Sequence, residues 1–134
     1  MAISYKVVPR KKPGTDTFKY YATAYAQGYQ TLDTIAEAMA LESTVTEHDI
    51  KAVLSSLQQH IIAALKNGQS VRLGDLGSFH TTIIGTGSDT RAAYSFAKNV
   101  KAVRVQFTKS ARMQSAFLLG ANGLRFRNLQ EDNE

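Results

Sequence analysis

From residue 31 onward the apolar positions follow first a helical period and then a strand period. In TLDTIAEAMALES (31–43), Leu32, Ile35, Ala36, Met39 and Ala40 share one side with acids opposite, and Thr31 stands where an N-cap belongs. This predicts a helix of about three turns. A second stripe, Ile50, Val53, Leu54, Leu57, Ile61 and Leu65, recurs at i, i+3, i+4, i+7, i+11 and i+15. Thr46, with Asp49 three residues on, is placed to cap its start, and Asn67-Gly68 to stop it. The stripe predicts about five amphipathic turns.

Strand-like segments flank these helices. ISYKVV (3–8) and FKYYATAYA (18–26) are rich in β-formers, and RKKPGTDT between them carries a Pro-Gly turn pair. They predict a hairpin with a long basic connection. VRLGDLGSFHTT (71–82) reads as a strand broken by Gly74 and Gly77, which mark a turn, a bulge or a close backbone approach. TTIIGTGSDT (81–90) then becomes Gly-rich, predicting a flexible ribbon that continues through RAAYSFAKN. VKAVRVQF (100–107) alternates Val103, Val105 and Phe107 with Arg104 and Gln106. Thr108 is placed to cap a last short helix, KSARMQSAFLL, with Met113, Ala116 and Phe117 toward the core, and Gly120 and Gly123 break it. The tail ends in an acidic tip expected to fray. Hairpin, two helices, strand, ribbon, strand and helix make an α+β chain, and 134 residues suit one domain.

Charge adds direction to this pattern. The net charge is +5, and its signs are segregated. Residues 1–30 hold Lys6, Arg10, Lys11, Lys12 and Lys19 against Asp16, whereas 31–70 hold five acids against Lys51 and Lys66. From Arg91 to Arg127 there are eight basic residues and no acid. Segregation of this kind suits either a solvated basic face or a polyanion site. The absence of cysteine excludes disulfide and thiolate chemistry. The N-terminus lacks a signal-peptide core, and no apolar run is long enough to span a membrane, so a cytoplasmic protein is expected.

Candidate chemistry is sparse. His48, His60 and His80 sit apart without metal-ligand spacing, so no metal is expected. GTGSDT (85–90) lacks the Lys-Ser/Thr of a phosphate loop and the third glycine of a dinucleotide fingerprint. No Gly-x-Ser-x-Gly elbow occurs. Neither an enzyme, a cofactor nor a small-molecule substrate is expected.

The order helix, longer helix, Asn-Gly, strand, LGDLGSF, strand, ribbon, strand, short helix resembles the HU and integration host factor family of bacterial nucleoid proteins that bind and bend DNA. KNGQSVRLGDLGSF (66–79) is similar to that family's glycine-containing turn after its second helix. The resemblance covers residues 31–119, leaves 1–30 as an N-terminal β extension and 120–134 as a tail, and points to larger HU-related proteins of Bacteroides-like bacteria. It implies a helix–helix body, a three-stranded sheet with an extended β-ribbon arm at about 80–103, and an intertwined dimer, here a homodimer. Gly74 to Gly77 would form the corner of a hairpin. Leu54, Leu57, Ile61, Leu76 and Phe79 would line the dimer core.

The partner implied is duplex DNA, bound with little sequence preference in the nucleoid. Arg91, Lys98, Lys101 and Arg104 would meet phosphates or the minor groove, with Lys109 and Arg112 on the saddle. The family's arm-tip proline has no counterpart, since both prolines, Pro9 and Pro13, lie near the N-terminus. Ala92 to Phe96 falls at the expected tip, where Tyr94 or Phe96 would either wedge between bases or pack within the ribbon. In the extension, Arg10, Lys11 and Lys12 would add phosphate contacts, or the hairpin would pack on the body. Two other functions fit the same residues: an HU-fold interaction protein with weak or lost DNA binding, and an RNA binder that stacks bases on YYATAY or YSF.

Overall fold

The two threonines cap as their positions predict. In the computed structural model, which describes residues 2–120 and 123–130, Thr31 and Thr34 form a reciprocal capping box at the start of α1 (Leu32–Glu42). The Thr46 hydroxyl accepts from the Asp49 amide at the start of α2 (Glu47–Lys66), and Gly68, at φ 78°, follows its C-cap Asn67. Lys51 on α2 bonds Glu47 at 2.7 Å and reaches Asp33 of α1 at 3.9 Å, tying the helices together. Its bond to Glu47 is the main reason its pKa is raised.

The strands form two three-stranded sheets. In the first, β1 (Ile3–Lys11) pairs antiparallel with β2 (Phe18–Ala24) and parallel with β6 (Phe126–Asn128). Lys12 and Thr17 close the hairpin end, where Gly14 takes φ 77°. The tail therefore does more than fray. Its Gln130 amide brackets Val7, accepting from the Val7 N–H at 2.9 Å and donating to the Val7 carbonyl at 3.2 Å. The acidic tip 131–134 lies outside the described residues.

The second sheet orders β3 (Val71–Arg72), β4 (Gly77–Gly85) and β5 (Val100–Lys109), all antiparallel. Between β4 and β5 sits a helical turn, α3 (Phe96–Asn99). The last helix, α4 (Ala111–Ala116), starts later than Thr108 predicts. Thr108 stays in β5 opposite Ser78, and Ser110 becomes the cap, its hydroxyl accepting from the Met113 amide at 3.0 Å. Met113 is half-buried, whereas Ala116 and Phe117 remain exposed instead of facing a core.

Burial within one chain is slight. Ala36 and Ile50 are the buried apolar residues among those described. The chain exposes 11425 Å², whereas a self-contained monomer of 14.7 kDa exposes about 6,900 Å². Much of the apolar excess lies where α2 and the second sheet would form a core, as at Val53 and Ile83, 66% and 67% exposed.

Candidate nucleic-acid interface

The two glycines of LGDLGSF have different duties. Gly74, at φ 58°, makes the turn in which the Leu76 amide bonds the Leu73 carbonyl at 3.2 Å and the Leu73 amide bonds the Gly77 carbonyl at 2.8 Å. Gly77 is buried at φ 154°, and a Cβ there would enter the Thr108 carbonyl oxygen and the Phe107 ring. The bare backbone lets β4 and β5 close, so that Phe79 meets Phe107 with ring centroids 5.1 Å apart.

This corner also grips α4. The Ser110 amide donates to the Leu76 carbonyl at 3.0 Å and its hydroxyl to the Asp75 carbonyl. Arg112, expected on the saddle as a phosphate contact, instead bonds Asp75 through Nη1 at 2.6 Å. Both groups are well exposed, so the pair stays open to solvent and salt.

Register sorts the arm cations onto two faces. Cross-strand partners share a face, and Phe79 opposes Phe107, Thr81 opposes Val105 and Ile83 opposes Val103. With Ile61 and Leu65 of α2, this face lines an open apolar groove of about 790 Å³. Lys101 and Lys109 lie on the same side by strand alternation. The other face carries Ser78 with Thr108, His80 with Gln106, and Thr82 with Arg104. Lys101 and Arg104, grouped as neighbouring contacts by their place in the chain, therefore point to opposite sides. His80, Thr82 and Gln106 join the candidate polar surface without having been singled out from the sequence, although the period-two alternation around Arg104 contains that signal.

The arm tip is organised rather than a plain ribbon. The register shifts between Ile84 and Gly85, and a Cβ on Gly85 would enter the Asn99 carbonyl oxygen. Asn99 is buried and acts as a clasp. Its side chain accepts from the Ser95 amide at 2.9 Å and donates to Thr86 Oγ1 at 3.3 Å and the Gly87 carbonyl at 3.1 Å. Its own carbonyl accepts from the Thr86 amide at 2.8 Å. Arg91, Tyr94, Phe96 and Lys98 are exposed on the segment so held, with Phe96 76% accessible.

No carboxylate among the described residues lies within ion-pair distance of Arg91, Lys98, Lys101, Arg104 or Lys109. In the extension, Lys11 pairs with Asp16 at 3.0 Å, Arg10 lies on the opposite face of β1, and Lys12 belongs to the turn. Of the expected dimer-core residues, Ile61 and Phe79 line the apolar groove. Leu54 lines a separate cleft with Leu32 and Lys51, while Leu57 and Leu76 are exposed. Among the described residues no cluster of three or more His, Asp or Glu side chains is placed to hold a metal ion, and no helix is long and apolar enough to cross a membrane.

Comparison with known proteins places this architecture. A crystal structure of a candidate bacterial DNA-binding protein from Bacteroides vulgatus ATCC 8482 is similar over 96% of this chain, at 17% identity and TM-score 0.65. This chain spans 48% of that one, about half its length. The Anabaena HU–DNA cocrystal structure is similar over 67% of this chain and 99% of its own, at 19% identity and TM-score 0.53. No curated protein sequence matches. The profile of HU-HIG, an HU domain fused to wHTH, Ig or glycine-rich motifs, matches residues 1–118, and the chain belongs to that family.

Proposed function

We propose that this chain is a homodimeric, non-enzymatic HU-type protein that binds duplex DNA with little sequence preference in the bacterial nucleoid. The two-sided arm sheet carries the reading. One face is apolar and open, suited to a second copy; the other is polar around Arg104, which has no carboxylate partner among the described residues. The similarity to HU bound to DNA supports the choice of partner. In this reading residues 31–119 are the DNA-binding unit, with an arm at about 80–103, and 1–30 and 120–134 lie outside it. The large exposed surface of one chain supports dimerisation, because obligate interfaces bury about 2,000–5,000 Å² in total.

Arg91 and Lys98 at the tip, Arg104 on the polar face and Lys109 at the arm base supply phosphate contacts. Lys101 contributes from the far side of the strand, and Arg112 does so by exchanging Asp75 for phosphate. The exposed Phe96, with Tyr94 beside it, is the apolar group that enters the base stack in place of a proline. Such contacts carry affinity without reading sequence.

The test is fluorescence anisotropy of intact and nicked duplex DNA at about 50 to 200 mM salt. Steeply salt-dependent binding that favours nicked DNA is expected. Arg104→Ala lowers the slope of log K against log salt by about 0.9, and Lys101→Ala lowers it less. Absence of binding at the lowest salt would refute the reading.

A further inference from the structure

Register places Arg10 directly opposite Lys19, Val8 opposite Tyr21, and Lys6 opposite Thr23, all on one face of the first sheet. Like charges facing each other across strands destabilise a hairpin, so the Arg10–Lys19 pair needs a physical reason. Neither cation has a carboxylate within ion-pair distance among the described residues; the neighbouring acid, Asp16, bonds Lys11.

Their side chains are nevertheless held. The Arg10 guanidinium lies 5.9 Å from the centre of the Tyr21 ring and donates to Thr23 Oγ1 at 3.2 Å. Lys6 Nζ sits 4.4 Å from the centre of the Tyr25 ring. Aromatic faces steady a cation without neutralising it. At the hairpin end, Arg10, Lys11, Lys12, Lys19 and Tyr21 line a hollow of about 340 Å³ that contains no carboxylate.

We infer that this face of the N-terminal sheet is a second DNA-backbone site, separate from the arm, with Arg10 and Lys19 gripping phosphodiester groups. Lys6 lies four residues along β1 from Arg10, about 13 Å at strand rise, beyond the reach of one small anion and suited to the repeating charge of a polyanion. The inference rests on the proposal that the chain binds DNA. It also revises which basic residues of the extension matter: Lys6 and Lys19 join Arg10, whereas Lys11 is occupied by Asp16.

The full chain and its Arg10→Ala/Lys19→Ala variant are compared by duplex-DNA anisotropy across about 50 to 200 mM salt. Two lost contacts lower the salt slope by about 1.8, so the affinity gap between the two proteins narrows about 12-fold over that range. Melting temperature is expected to hold or rise as the like-charge pair disappears. Should that variant misfold, Arg10→Gln and Lys19→Gln measured singly each lower the slope by about 0.9.

An unchanged slope in a folded variant, with Arg104→Ala still lowering it, would overturn this site and leave the arm's role standing. Failure of the unaltered chain to bind DNA would overturn both. Anionic lipid vesicles serve as the competing probe: retention that depends on Arg10 and Lys19, with an unchanged DNA slope, would assign the face to a membrane and overturn the inference.

Discussion

The two sheets of this protein solve different problems with the same number of strands. The β3–β4–β5 sheet is assembled from neighbouring segments and separates its faces by polarity, leaving the apolar one open against α2. The β2–β1–β6 sheet closes with a strand from the far end of the chain, and its cations are interleaved with tyrosines. Exposed Ile83 and Val103 therefore call for a covering partner, while exposed Arg10 and Lys19 call for a counter-charge. Exposure alone distinguishes neither; the chemistry across the register does.

Breaking the open face gives the largest expected effect. Ile61→Asp sets a charge among groove residues that a second copy would cover, at a cost of about 4 kcal/mol or more per protomer. Sedimentation should show loss of the dimer, and melting should lose its dependence on protein concentration. An unchanged dimer would mean that the groove is not the interface.

The glycines sharpen the contrast. Gly77→Ala meets both a positive φ and occupied space, costing about 3 kcal/mol in chemical denaturation. Gly14→Ala in the first hairpin has a positive φ but open space around it, costing about 1 kcal/mol. Equal losses would show that the close approach of β4 to β5 adds no constraint.

The smallest effect is local. Asn99→Ala removes the arm-tip clasp at about 1–3 kcal/mol, and amide exchange should accelerate across residues 86–99 while both sheets keep their protection. Uniform acceleration through both sheets would show that the tip does not open by itself.

Features with short-range causes were legible in the sequence. Thr31, Thr46 and Gly68 act within a turn of where they stand, and the stripe through Ile61 and Leu65 follows from helix period alone. What escaped depends on distant partners. Thr108 is as good a cap as Ser110 until its pairing with Ser78 holds it in the strand. Nothing around Phe126 announces a parallel partner at Ile3, and Asn99 has no local mark of its clasp. The candidate site was half visible: its basic residues were apparent, but their division between faces needed the β4–β5 register, and the capture of Arg112 needed the fold of the Asp75 corner.

The pairing of β1 with β6 also sets an order of events during synthesis. The β1–β2 hairpin is complete once Ala24 has emerged, yet Gln130, which bonds Val7, lies 123 positions beyond it. Until then one edge of β1 offers unpaired backbone groups to any passing strand, while contacts of long sequence separation form slowly. Nascent chains on neighbouring ribosomes would meet during that interval, so truncation before Phe126 should raise co-translational aggregation through β1 even if the HU-like body folds.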